Sequence, residues 1–101
     1  MNEMSDEKGR KEILFTMKQF NYVISDELGI HARPAGLLAK QAKEYESKIQ
    51  ITKGEKTVAA SQLLMLMGLA VKCGDEITVT IEGPDEEVAF GQIQAFFREN
   101  L

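Results

Sequence analysis

Tryptophan is absent from this chain, and cysteine, histidine and proline are scarce, at one, one and two residues in 101. The single cysteine, Cys73, forms no internal disulfide, and with only one histidine available it builds no zinc site. Its thiol is read as buried or idle rather than redox-active, and reducing, cytoplasmic surroundings are expected. No apolar run is long enough to cross a bilayer, and Met1 to Glu12 is polar and charged, unlike a signal peptide or an anchor. Positive charge is in short supply as well. A formal net charge of -4 argues against a nucleic-acid partner, since phosphate backbones attract basic surfaces. A carboxylate pair, a glycine-rich nucleotide loop and a metal-ligand cluster are all missing, so this is no self-sufficient kinase, and no cofactor or metal is expected.

What is present fits one domain. Hydrophobic residues make up 44% of the chain, enough for a modest core but not for a deep enclosed pocket. Any chemistry should therefore sit on the surface and depend on a partner. Residues 1–16 form a charged lead-in without apolar period, expected as a mobile tail ahead of a folded domain at 17–101. Phe20 to Ser25 alternates, with Phe20, Tyr22 and Ile24 on one face, and reads as a strand. Pro34 to Tyr45 reads as a helix, because Ala35, Leu38, Ala39 and Ala42 recur three and four apart. Lys48 to Thr52 alternates again, Lys53-Gly54-Glu55 reads as a hairpin turn, and Lys56 to Ala59 as the return strand. Leu63 to Val71, opened by Ser61 or Gln62, reads as a short helix. Glu76 to Ile81 predicts a strand. Gly83-Pro84-Asp85 predicts the start of a last helix with Pro84 in its first turn and Ala89, Ile93, Phe96 and Phe97 as its buried stripe. The order strand, helix, strand, strand, helix, strand, helix suits a two-layer α+β sandwich, one sheet face covered by helices and the other wet.

The segment Leu28-Gly29-Ile30-His31-Ala32-Arg33-Pro34-Ala35 joins the first strand to the first helix. The only histidine lies just before the helix, an arginine follows two residues on, and a tolerated proline comes next. A helix start exposes unpaired N–H groups, and its dipole favours an anion. Pro34 has no N–H, so the donors nearest His31 are those of Ala32 and Arg33. A phosphoryl group on the imidazole could accept from both, and the Arg33 guanidinium offers a fork that suits phosphate oxygens. The same positive end disfavours an imidazolium and keeps the ring nucleophilic. On pattern alone, a structural or merely solvated histidine and a surface arginine fit as well.

Gly29-Ile30-His31-Ala32-Arg33-Pro34-Ala35 resembles the active-site signature of HPr, the histidine-containing phosphocarrier family of the bacterial phosphoenolpyruvate:sugar phosphotransferase system. The likeness continues through Lys56-Thr57-Val58, Leu69, Gly74 and Glu76-Ile77-Thr78-Val79, and covers Met17 to Leu101. The resemblance implies an open-faced sandwich of βαββαβα order, a four-stranded antiparallel sheet with three helices on one face. It implies that Enzyme I phosphorylates His31 on Nδ1, that the group passes to a IIA domain of a sugar permease, and that Arg33 and the Ala32 amide stabilise the loaded state. It further implies a monomer with no membrane partner, and it allows transcriptional regulators as further partners.

The chain departs from the family at three places. Many members carry a regulatory serine at the start of the second helix, phosphorylated by an ATP-dependent kinase. Gln62 stands there, and Ser61, about 100° away on a helix, reads as the helix N-cap rather than a phosphosite. Leu28 replaces a residue often small and polar, and Gly36 one often Thr or Ala. The second helix carries more apolar side chains than it can bury. By resemblance, Leu63, Leu64 and Met67, flanked by Lys40, form the partner surface, with Leu66 and Leu69 in the core. Adaptable methionines suit a surface that binds several partners in turn. Sugar transport, a regulatory branch of the same system, and a binding module without phosphotransfer are the three readings; His31 and Arg33 together speak against the last.

Overall fold

Alternation and helical spacing set the elements, and a computed structural model places them for residues 17–101; the expected tail, residues 1–16, lies outside the described residues. The elements are β1 (Lys18–Val23), α1 (Ala32–Ala42), β2 (Lys48–Lys53), β3 (Lys56–Ala59), α2 (Leu63–Gly68), β4 (Glu76–Glu82) and α3 (Glu86–Asn100). The strands form one antiparallel sheet in the order β1-β4-β2-β3. Register puts Phe20, Val79 and Ile51 in one row across it. That row, with Ile49, Ile77 and Ile81, faces the helices and is buried or packed against the core. Side chains one residue off, such as Asn21, Thr78 and Thr52, point the other way and stay at least partly exposed, as period-two alternation requires. This is the open-faced α+β sandwich that the sequence predicts.

The core centres on Phe97, fully buried on α3. Phe20, Tyr22 and Phe96 meet its ring edge-on, with centroids 5.8, 5.4 and 6.0 Å away, a geometry that adds to plain area burial. The Tyr22 hydroxyl donates to the Phe97 carbonyl at 3.0 Å, so the polar end of that ring is satisfied. At the other end of α3, the Asp85 carboxylate accepts from the amides of Glu46 and Ser47, both at 2.9 Å, and from the Ser47 hydroxyl. These bonds hold the Asp85 carboxyl below its ordinary value, the hydroxyl contributing most.

Several boundaries differ from the sequence reading. The first helix begins at Ala32, not Pro34, which makes Pro34 its third residue, a place where the missing N–H has no intrahelical acceptor to lose. It stops at Ala42, not Tyr45, because the amides of Lys43, Glu44 and Tyr45 reach back three residues instead of four. The second helix stops at Gly68, well short of Val71, as Ala70 turns left-handed at φ 54°. Its N-cap is Gln62, not Ser61: the Gln62 amide closes a turn onto the Ala59 carbonyl, and the helix starts only beyond it. Pro84 precedes the last helix rather than entering it, since Asp85 is the N-cap and the Glu86 amide turns back to Gly83. Cys73 is exposed, not buried.

Candidate functional site

The connection from β1 to α1 is pinned from both sides. Ile24 continues the β1 ladder, donating to Asp75 at 2.9 Å and accepting from Gly74 at 2.7 Å, and its side chain is buried. The amides of Ser25 and Asp26 both donate to the Leu101 carbonyl, and the Ser25 hydroxyl joins them at 3.0 Å. Asp26 then organises a turn: its Oδ1 accepts from Leu28 at 2.8 Å and its carbonyl from Gly29 at 2.9 Å. Gly29 crosses against the 71–72 backbone at φ +67°, where an added Cβ would lie 2.2 Å from the Val71 oxygen. Only glycine fits both that conformation and that gap. Ile30 donates to the same Val71 oxygen at 3.1 Å and buries its side chain, which leaves His31 directed to the surface.

The 71–75 segment that supports Gly29 is itself tied down. Asp75 accepts from the Lys72 amide at 2.8 Å and pairs with Lys53 at 3.1 Å. The Lys53 ammonium also donates to the Ala70 carbonyl at 2.8 Å, at the left-handed end of α2. The Lys72 amide, and then Lys53, hold the Asp75 carboxyl below its ordinary value. A continuous run of bonds thus leads from β2 through the 70–75 turn to the histidine loop.

His31 is the N-cap of α1, half-buried, with extended backbone and no side-chain cap bond. Its imidazole is therefore not spent on capping. The first helical bond is from Ala35 N–H to the His31 carbonyl at 3.0 Å, and Pro34 has no N–H, so the amides of Ala32 and Arg33 lack an intrahelical acceptor. Arg33 is exposed, and among the described residues it has no ion-pair partner. His31 and Arg33 line one shallow depression of about 50 Å³ together with Asp26, Pro34, Leu37 and Asn100. Imidazole, guanidinium and two amides at one helix mouth can hold a tetrahedral anion.

The apolar side chains that the resemblance assigns to the surface are exposed. Leu66 is the one buried residue of α2, so Leu63, Leu64 and Met67 are exposed, Leu64 most of all at 81%. Lys40 joins Leu63 and Leu64, with Lys43 and Ser61, along a groove of about 450 Å³ between α1 and α2. Sequence reasoning missed Met65 and Leu37, both exposed. Leu37 had a signal: it lies four residues after Arg33, on the same helical face. Asn100 at the depression carried no local signal, since tertiary packing brings it there, whereas Asp26 had one, an aspartate placed to form the turn ahead of Gly29.

A histidine at the mouth of a helix, on an open-faced sandwich with exposed apolar side chains on a neighbouring helix, describes a small domain whose chemistry lies on its surface. The family profile for the PTS HPr component phosphorylation site matches residues 18–99. The phosphocarrier protein HPr of Lysinibacillus sphaericus is 39% identical over 83 residues, 82% of this chain and 94% of the relative. That of Mycoplasma capricolum is 38% identical over 78 residues, 77% of this chain and 88% of the relative. The crystal structure of HPr from Bacillus anthracis superimposes with a TM-score of 0.75 at 37% identity, covering 80% of this chain and 96% of the other. The chain belongs to the HPr family, the phosphocarrier proteins of the phosphotransferase system.

Proposed function

We propose that His31 takes a phosphoryl group from Enzyme I and hands it to IIA domains of sugar permeases, with the chain acting as a cytoplasmic monomer. The observation that carries this reading is the placement of His31 at the N-cap of α1 beside the unpaired amides of Ala32 and Arg33. The neutral ring attacks phosphorus through Nδ1. As the new N–P bond forms, the donor's bond to phosphorus breaks and its electron pair stays with the donor. The amides of Ala32 and Arg33 then accept the load by donating to its oxygens, and the guanidinium adds charge. Donor and acceptor proteins supply the rest of the reaction, docking on Leu63, Leu64 and Met67 with Lys40 at the flank. Contacts of this sort are weak and fast, as a relay requires.

The test is to incubate the protein with Enzyme I and phosphoenolpyruvate and weigh it intact. One acid-labile phosphate is expected on the parent chain and none on His31→Ala. Arg33→Ala should still load, more slowly and with a less stable product. An unmodified parent chain, tried against Enzyme I from several bacteria, would sink the carrier reading.

A further inference from the structure

Asp26 shares the depression with His31 and Arg33, and its carboxylate is held there. Its own N–H donates to Leu101 at 2.9 Å, and its Oδ1 accepts from Leu28 at 2.8 Å, so the side chain cannot swing away without opening the turn that leads to His31. Among the described residues neither Asp26 nor Arg33 has an ion-pair partner. The mouth of α1 therefore carries a carboxylate without an ion-pair partner, beside groups arranged to hold an anion. A domain that only captured phosphate would have no use for it.

We propose that Asp26 tunes the phosphoryl-transfer potential of His31, raising the free energy of the loaded state so that the group leaves more readily. The inference rests on the reading of His31 as phosphoryl acceptor. When the PO₃ group moves onto Nδ1, the donor's N–P bond breaks as the new one forms, and a dianion arrives beside the Asp26 carboxylate. The amides of Ala32 and Arg33 and the guanidinium draw it in; the carboxylate repels it. Release reverses both, with the Nδ1–P electron pair returning to the ring. Two partly exposed charged groups lining one shallow depression change such an equilibrium by roughly three- to tenfold, and salt screens the effect.

Asp26→Asn isolates the charge, because an asparagine Oδ1 still accepts from Leu28 and keeps the turn. Equal amounts of the parent chain and Asp26→Asn are equilibrated with a trace of Enzyme I and limiting phosphoenolpyruvate, and the two phosphorylated masses are compared. The expected result is phosphate favouring the variant by roughly three- to tenfold at low salt, falling towards parity in about 1 M NaCl, with the thermal midpoints of the two proteins alike. Loading of both chains at parity in low salt, or a bias that salt leaves unchanged, overturns the role of Asp26 and leaves the carrier reading standing. Failure of both chains to load overturns the carrier reading, and this inference with it.

Discussion

Among the residues with left-handed backbone near the site, Gly29 and Ala70 predict opposite outcomes. Gly29 sits at φ +67° with the Val71 oxygen where a Cβ would go. Gly29→Ala therefore adds a clash to a left-handed cost of about 1–2 kcal/mol. We expect a loss of at least about 2 kcal/mol in urea unfolding, with the Ile30 amide losing its protection from hydrogen exchange. Normal protection would show that the loop is not fixed by this crossing. Ala70 lies at φ 54° and is the only non-glycine residue with positive φ among those described. Ala70→Gly removes the left-handed cost but returns entropy to the unfolded chain, about 0.4–1 kcal/mol. The net expectation is a gain of about 0.5–1 kcal/mol, read as a higher urea midpoint at unchanged slope. The Lys53 bond to the Ala70 carbonyl involves the backbone and should survive.

Among the elements, α2 is the least secure. It has six residues, one of them buried, and its N-cap Gln62 makes no side-chain cap bond. Gln62→Asp supplies an acceptor for the exposed first-turn amides and should add about 0.5–1 kcal/mol, seen as slower hydrogen exchange confined to α2. Gln62→Ser should do the same and also create a hydroxyl at the position that, by the resemblance, matches the regulatory serine of many Gram-positive members. Treated with an HPr kinase and ATP, the parent chain should stay unmodified and Gln62→Ser should gain one phosphate. Phosphate on Ser61 of the parent chain would contradict this. The same helix shows what was legible in the sequence. That some apolar side chains of so short a helix must face out followed from its pattern, and the choice of Leu63, Leu64 and Met67, with Leu66 inside, came from the resemblance. The helix ends did not follow, because turns set them: Gln62 folds onto Ala59 at one end and Ala70 goes left-handed at the other. The place of His31 and Arg33 at the mouth of α1 was legible because it depends on local backbone that Pro34 marks. Asn100 was not, because only the folding of α3 back along β1 brings it there; Asp26 was passed over although its turn with Leu28 and Gly29 is local.

On the scale of the whole molecule, two carboxylates act as fasteners between distant parts of the chain. Asp85 binds the start of α3 to the α1–β2 connection, and Asp75 binds the 70–75 turn to β2. Both carboxyls titrate below the ordinary 3.8 in the folded protein, Asp85 chiefly through the Ser47 hydroxyl and Asp75 chiefly through the Lys72 amide. A depressed carboxyl favours the fold in its ionised form. Its contribution is complete above the unfolded value of 3.8 and is lost as pH falls from there through the lower folded values. The thermal midpoint should therefore hold steady from neutral pH down towards 3.8, as far as these two groups set it, and fall below that. Asp85→Asn should start lower at neutral pH, since the amide cannot accept as strongly from three donors, and should decline less on acidification because it has no charge left to lose. Asp75→Asn should behave alike, with one added effect. Loosening the turn beneath Gly29 frees the histidine loop, so its Ile30 amide should exchange faster while the Phe97 amide, deep in α3, keeps its rate. An acid profile for Asp85→Asn parallel to that of the parent chain would mean that the fold is fastened elsewhere.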